Sequence, residues 1–248
     1  MAQANGFSWR LITENTEEKL LDFSVNVNPL GIPGTVKKHI AGLADITGGY
    51  PDPDCRYLRS CLAEKYQVGM EQILCGNGAD DLLYRLVLAV KPKRAIVIEP
   101  TFEEYGRALK LAGCEVDHYV LKAENDFKLT KEQLLNSITD KTKILVLPYP
   151  NNPTGAIMTK EELEELVPVI IEKDLYVISD EIYAELTYGG KRHCSIGSLP
   201  GMKERTIVIN GFSKAFAMTG WRLGYACGPA TVIEQMVKLH QFAIMCAP

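Results

Sequence analysis

The sequence has no Cys-x-x-Cys pair, no clustered histidines, no excess of basic charge and no apolar run long enough to cross a membrane. Each absence removes a class of function. Seven cysteines at scattered positions (Cys55, Cys61, Cys75, Cys114, Cys194, Cys227 and Cys246) are an odd number, which points to free thiols in a reducing compartment rather than a disulfide framework or a zinc site. The four histidines, His39, His118, His193 and His240, are isolated, so a metal hydrolase is not expected and no metal is assigned. Lysine and arginine number 27 against 31 acidic residues, a net charge of −4, without the basic footprint of a nucleic-acid binder. The best apolar stretches, such as Val167–Ile171, fall far short of the ~20 residues of a membrane span. The N-terminal segment lacks a basic region followed by an apolar core, so no secretory signal is evident, and the cytoplasm is the expected location.

What is present is an ordinary globular composition, 46% hydrophobic and 23% charged over 248 residues, enough to bury a core without a covalent staple. No repeat or low-complexity linker divides it. Short apolar runs at Ile73–Cys75, Ala95–Ile98, Glu115–Leu121, Lys143–Leu147, Leu175–Ser179, Thr206–Ile209 and Leu223–Cys227 read as strands. Between most of them, Ala79–Val90, Glu103–Ala112, Lys131–Ile138 and Lys160–Glu172 carry apolar residues at helical spacing. Two helices open with capping boxes, Thr130 with Gln133 and Thr159 with Glu162. Pro168 predicts a kink or an interruption in the last of the four. The alternation implies an α/β fold with a mostly parallel sheet and helices on both faces, whose ligands bind at the carboxyl ends of the strands.

Four post-strand segments hold the candidate chemistry. Gly76-Asn-Gly-Ala-Asp-Asp81 leads into a helix, where small residues serve a structural turn or let backbone N–H groups approach a phosphate. Pro148-Tyr-Pro-Asn-Asn-Pro-Thr-Gly155 reads first as a rigid turn, though its prolines would also fix a side-chain amide. Asp180-Glu-Ile-Tyr183 offers either a helix cap or a carboxylate for a protonated ring nitrogen. In Asn210-Gly-Phe-Ser-Lys-Ala-Phe-Ala-Met-Thr-Gly-Trp-Arg-Leu-Gly224, Lys214 sits among apolar residues that lower an ammonium pKa and free the amine for Schiff-base chemistry. Arg222, between Trp221 and Leu223, calls for an anionic partner.

These motifs resemble the pyridoxal-phosphate aminotransferases of the aspartate-aminotransferase superfamily, fold type I: Ser213-Lys214 with Gly220-Trp-Arg-Leu-Gly224, Asn151-Asn-Pro-Thr-Gly155 and Asp180-Glu-Ile-Tyr183, in that family's order along the chain. From about Phe23 to Gly113 the text is closer to histidinol-phosphate aminotransferases and threonine-phosphate decarboxylases, through Asp22-Phe-Ser-Val-Asn-Val-Asn-Pro-Leu-Gly31, Gly49-Tyr-Pro-Asp52 and Pro100-Thr-Phe-Glu-Glu-Tyr-Gly106. The resemblance implies a three-layer large domain at 46–248, an arm and first helix at 1–45, and a C-terminal small domain that is absent from this chain. It implies pyridoxal 5'-phosphate (PLP) as cofactor, amino acid and 2-oxo acid substrates, and a homodimer without nucleic-acid or membrane partners. Lys214 would form the Schiff base and shuttle a proton, and Asp180 would pair with the ring nitrogen. Asn152 and Tyr183 would bond the phenolic oxygen, and Phe102 would stack on the ring. Arg222, Ser213 and the N–H groups of Gly78, Ala79 and Asp80 would hold the phosphate. Tyr50 would reach the neighbouring subunit's phosphate, and Asn28 would line the substrate pocket. Many relatives carry Ser or Thr where Gly211 stands, so one phosphate-binding hydroxyl is missing. The implied activity is transamination, with a lyase on the same scaffold or a cofactor-binding fragment without turnover as alternatives.

Overall fold

A computed structural model describes residues 25–40, 42–43 and 48–248. Most of the arm expected at 1–45 therefore lies outside the described residues. Among the described residues seven strands form one sheet: β1 (Ile73–Gly76), β2 (Arg94–Glu99), β3 (Glu115–Val120), β4 (Ile144–Pro148), β5 (Tyr176–Asp180), β6 (Thr206–Gly211) and β7 (Gly224–Cys227). Their spatial order is β1-β7-β6-β5-β4-β2-β3; β7 pairs antiparallel with β1 and β6, and every other pair is parallel.

The helices are α1 (Gly34–Ile40), α2 (Arg56–Tyr66), α3 (Ala79–Val90), α4 (Glu104–Leu111), α5 (Lys131–Ser137), α6 (Lys160–Glu172) and α7 (Ala230–Ile244). Strand side chains alternate between two cores, as the pleat requires. Ala95, Val97, Val146 and Ile178 pack with Leu82, Leu86, Leu109 and Met236 from α3, α4 and α7. Ile96, Ile98, Leu145 and Val177 pack on the other face with Leu134, Leu163, Leu166 and Ile170 from α5 and α6. A smaller cluster seats Leu62 of α2 against Ile73, Cys75 and Tyr225. This is the expected three-layer arrangement.

Both capping boxes form. Thr130 Oγ1 accepts from the Gln133 amide and Thr159 Oγ1 from the Glu162 amide, while Gln133 and Glu162 side chains accept in return from the two threonine amides. Of the two outcomes expected at Pro168, a kink or an interruption, the interruption does not occur: α6 runs through it to Glu172. Pro168 and Glu164 both lie on the exposed face. The carbonyl deprived of its helical donor there is on the solvent side, where water can satisfy it.

Three glycines stand in one row across β1, β7 and β6, Gly76 opposite Gly224 and Gly224 opposite Gly211. A Cβ on Gly224 would lie 2.9 Å from the carbonyl carbon of Gly78 and 3.0 Å from the Ala79 nitrogen. A Cβ on Gly211 would lie 3.0 Å from the Leu223 oxygen and 3.1 Å from Gly224 Cα. The row lets the start of α3 sit directly on the sheet. It also explains the glycine at 211, where a side chain that could add a hydroxyl has no room on the present backbone.

Candidate active site

The four segments meet at one edge of the sheet, because β1, β4, β5 and β6 all end there and β7 begins there. Lys214 follows the end of β6 by three residues and is half-buried. Its Nζ donates to the carbonyl of Asn26 at 2.9 Å and lies 5.7 Å from the centre of the Tyr183 ring. Burial first, and then the Arg222 guanidinium, hold its pKa below the ordinary lysine value, while Asp80 and Asp180 oppose them. A larger share of neutral amine results.

Asp180 is the last residue of β5 and is buried. Desolvation pushes its carboxyl up to about 6, against hydrogen bonds from Tyr105 and the Ile182 amide that pull it down. Tyr105 Oη donates to Oδ2 at 2.7 Å and the Ile182 N–H to Oδ1 at 3.0 Å. Phe102, two residues past the cis Glu99–Pro100 bond, meets the Tyr105 ring edge-on at 5.9 Å.

Arg222 bends around the start of α3. A Cβ on Gly78, whose φ is +88°, would fall 3.0 Å from an Arg222 terminal nitrogen, and that nitrogen stands 3.8 Å from Asp80 Oδ2. Burial raises the Asp80 carboxyl, offset by Arg222. The Gly78 N–H donates to the Gly76 carbonyl at 2.9 Å, so of the three N–H groups expected to hold an anion those of Ala79 and Asp80 stay open among the described residues. With the guanidinium they make an anion site, and only a glycine at 78 leaves the approach open. Arg222 itself has φ +52°, as does Ala217, so the connection from β6 to β7 is held in left-handed backbone at two non-glycine residues. Ser213, also buried, immediately precedes Lys214.

The Asn-Pro segment behaves as a tight turn. Asn151 Oδ1 accepts from both the amide and the hydroxyl of Thr154, whereas the Asn152 amide makes no hydrogen bond among the described residues. Asn151 therefore builds the turn, and the Asn152 amide is left uncommitted among the described residues. Asn28 Nδ2 reaches the carbonyls of Lys214 and Ala215 at 3.5 Å. Tyr50 joins none of these groups; it is 96% exposed in the single chain.

Three contributors escape the sequence reading. Asn26 joins two site residues, its amide donating to Tyr183 Oη at 3.0 Å while its carbonyl takes Lys214 Nζ. Tyr105 holds Asp180. Glu181, buried behind the site, accepts from Ser179 at 2.9 Å and Ser195 at 2.6 Å, with His193 Nε2 2.9 Å from its other oxygen. The spacing of Phe102 and Tyr105 could have placed both on one face of a helix start, but nothing in the text names Asp180 as the partner. A cavity of about 150 Å³ bordered by Glu181, Ser195, Thr206 and Tyr225 lies on the opposite face of the sheet and includes neither Lys214 nor Asp180. The chemistry follows the strand ends and not that cavity.

A nucleophilic amine, an enclosed carboxylate, an aromatic ring and an anion cradle are the donor set that PLP requires, and these residues fit it. No helix among the described residues is long and apolar enough to cross a membrane.

The family model for aminotransferase class I and II matches residues 18–248. A putative aminotransferase YugH of Bacillus subtilis is 43% identical over 194 residues, covering 78% of this chain and 50% of that relative. The threonine-phosphate decarboxylase of Salmonella typhimurium is 34% identical over 210 residues, covering 84% of this chain and 56% of that protein. Among solved structures, the aspartate aminotransferase from Thermus thermophilus with maleate aligns at a TM-score of 0.87 and 33% identity, covering 98% of this chain and 65% of that one. The chain spans about half the length of the curated relatives it matches.

Proposed function

This chain belongs to the aminotransferase class I and II family, whose members use PLP, and from that premise we propose that it binds PLP through Lys214 and transfers an amino group between an amino acid and a 2-oxo acid. The observation that carries this reading is the convergence, on one sheet edge, of the Lys214 amine, the buried Asp180 carboxylate and the Arg222–Gly78 anion cradle. We assign 46–248 to the cofactor-binding large domain and 1–45 to the arm.

PLP, when bound, supplies an electron sink for the carbanion formed at the substrate Cα. The protein's residues supply the rest. Lys214, its charged form disfavoured by burial, would hold the cofactor through Nζ and would carry a proton between the substrate Cα and the cofactor's C4′. Asp180, enclosed and held by two donors, keeps a proton on the ring nitrogen. Phe102 covers one ring face. Asn152 and Tyr183 hydrogen-bond the phenolic oxygen. Arg222 and Ser213, with the backbone N–H groups of Ala79 and Asp80, bind the phosphate and fix the ring's position, while Gly78, its own N–H taken by the Gly76 carbonyl, keeps the approach open. Asn28 lines the substrate side. The exposure of Tyr50 supports a homodimer in which this phenol serves the neighbouring subunit's phosphate.

The test is a single-turnover reaction of the PLP-loaded chain with a panel of amino acids. One equivalent of 2-oxo acid per site is the expected result. Carbon dioxide released without 2-oxo acid would replace transamination by decarboxylation, and failure to bind PLP would overturn the reading.

A further inference from the structure

We propose that Tyr105 is a positioning residue for the cofactor ring, holding the Asp180 carboxylate ionised and oriented through its hydroxyl and bracing Phe102 through its ring. The inference rests on the reading of Asp180 as the ring-nitrogen partner. Tyr105 is 4% exposed, in the first turn of α4, within the core that α3 and α4 form with the sheet. Phenylalanine would fill the same volume there without burying a hydroxyl, and a buried hydroxyl is costly unless it is bonded. Among the described residues the hydroxyl bonds one group, Asp180 Oδ2, at 2.7 Å. With Oδ1 on the Ile182 amide, both oxygens are pinned, and the carboxylate cannot turn without losing a donor. A remaining lone pair is free for a ring N–H.

The two ring-holding groups are thereby tied to one side chain. Phe102 and Asp180 lie on different segments, after β2 and at the end of β5, and Tyr105 touches both, one by edge-on ring contact and one by its hydroxyl. Burial and Asp180 hold the Tyr105 phenol well above its ordinary pKa, so it remains a donor across the working range. The other ionisable groups that bear on the pair are Asp80 on α3, Glu181, Tyr183 and Lys214. Asp80 and Glu181 raise the Asp180 pKa, and Tyr105 and the Ile182 amide are the donors that oppose them.

The experiment is PLP affinity, read from the visible absorbance of the bound cofactor, at about pH 6 and about pH 8. It compares the wild-type chain, Tyr105→Phe and Tyr84→Phe. Tyr84 is a control of the same chemistry, because its hydroxyl also donates to a carboxylate, Glu104 at 2.8 Å, outside the cofactor site. Loss of the Tyr105 donor moves the Asp180 midpoint upward by about one pH unit. Only the ionised form pairs with the ring, so Tyr105→Phe binds PLP about fivefold more weakly at the lower pH and almost unchanged at the higher. Tyr84→Phe follows the wild type at both. An equal loss at both pH values, or none at either, would reduce Tyr105 to a packing residue and overturn the inference. Should Tyr105→Phe fail to fold, 2,3-difluorotyrosine incorporated at this position strengthens the donor and lowers the midpoint; an unmoved midpoint overturns the inference equally. A wild-type chain with no PLP-dependent absorbance would instead refute the proposed function, so the two failures are distinguishable.

Discussion

Asp180 is held at a cost that its cofactor-free protein must show. Its carboxyl is driven to about 6 by desolvation, while an unfolded aspartate titrates near ~4. The native state therefore binds more protons than the unfolded state between these values, and stability contributed at this site falls as pH rises through that window and then levels off. A difference of about two pH units corresponds to about 3 kcal/mol above pH 6 or so, an order-of-magnitude figure. Asp180→Asn keeps the shape and removes the charge. Oδ1 of the amide still accepts from one of the two donors now on the carboxylate, so part of this gain is offset by the donor left over. The cofactor-free variant is expected to be more stable than wild type at about pH 8, by about 1–3 kcal/mol, and close to it at about pH 4. Urea unfolding at the two pH values measures this directly. Saturating PLP reverses the order, because the wild type gains binding free energy that the variant lacks. Equal stability of the two cofactor-free proteins at both pH values would refute the claim that Asp180 is ionised against a desolvation penalty.

Gly224→Ala places a methyl within 3.0 Å of backbone atoms on Gly78, Ala79 and Asn210, none of which can rotate away. It should destabilise the chain by about 1–3 kcal/mol in chemical denaturation and weaken PLP binding by displacing the start of α3. Thr159→Ala removes the hydroxyl that accepts from the Glu162 amide and should cost about 1 kcal/mol in the same assay without altering PLP affinity.

Much of the fold was legible because local and global preferences agree. The span of α3, Ala79–Val90, follows directly from apolar spacing, and α6 from its capping box and spacing together. Sequence left two outcomes open at Pro168 because it registers the missing donor and not where its carbonyl partner faces; both residues lie in solvent, and the helix continues. Gly211 read as a lost hydroxyl because a row of facing glycines exists only after β6, β7 and β1 pair. The site residues that motifs announce, Lys214, Asp180 and Arg222, do come together. The residues that hold them, Asn26 and Tyr105, lie 188 and 75 positions from their partners, and no local pattern encodes a contact at that separation. Tyr50 remains apart from the site in the single chain.

The central claim is that Lys214 is the amine that takes PLP. Borohydride reduction of the PLP-loaded chain, followed by peptide mapping, tests it most directly. The account predicts one phosphopyridoxyl group per chain, on Lys214, and no visible absorbance change when Lys214→Ala is mixed with PLP. A label distributed over other lysines, or a Lys214→Ala chain that takes up PLP with the wild-type absorbance, would contradict it.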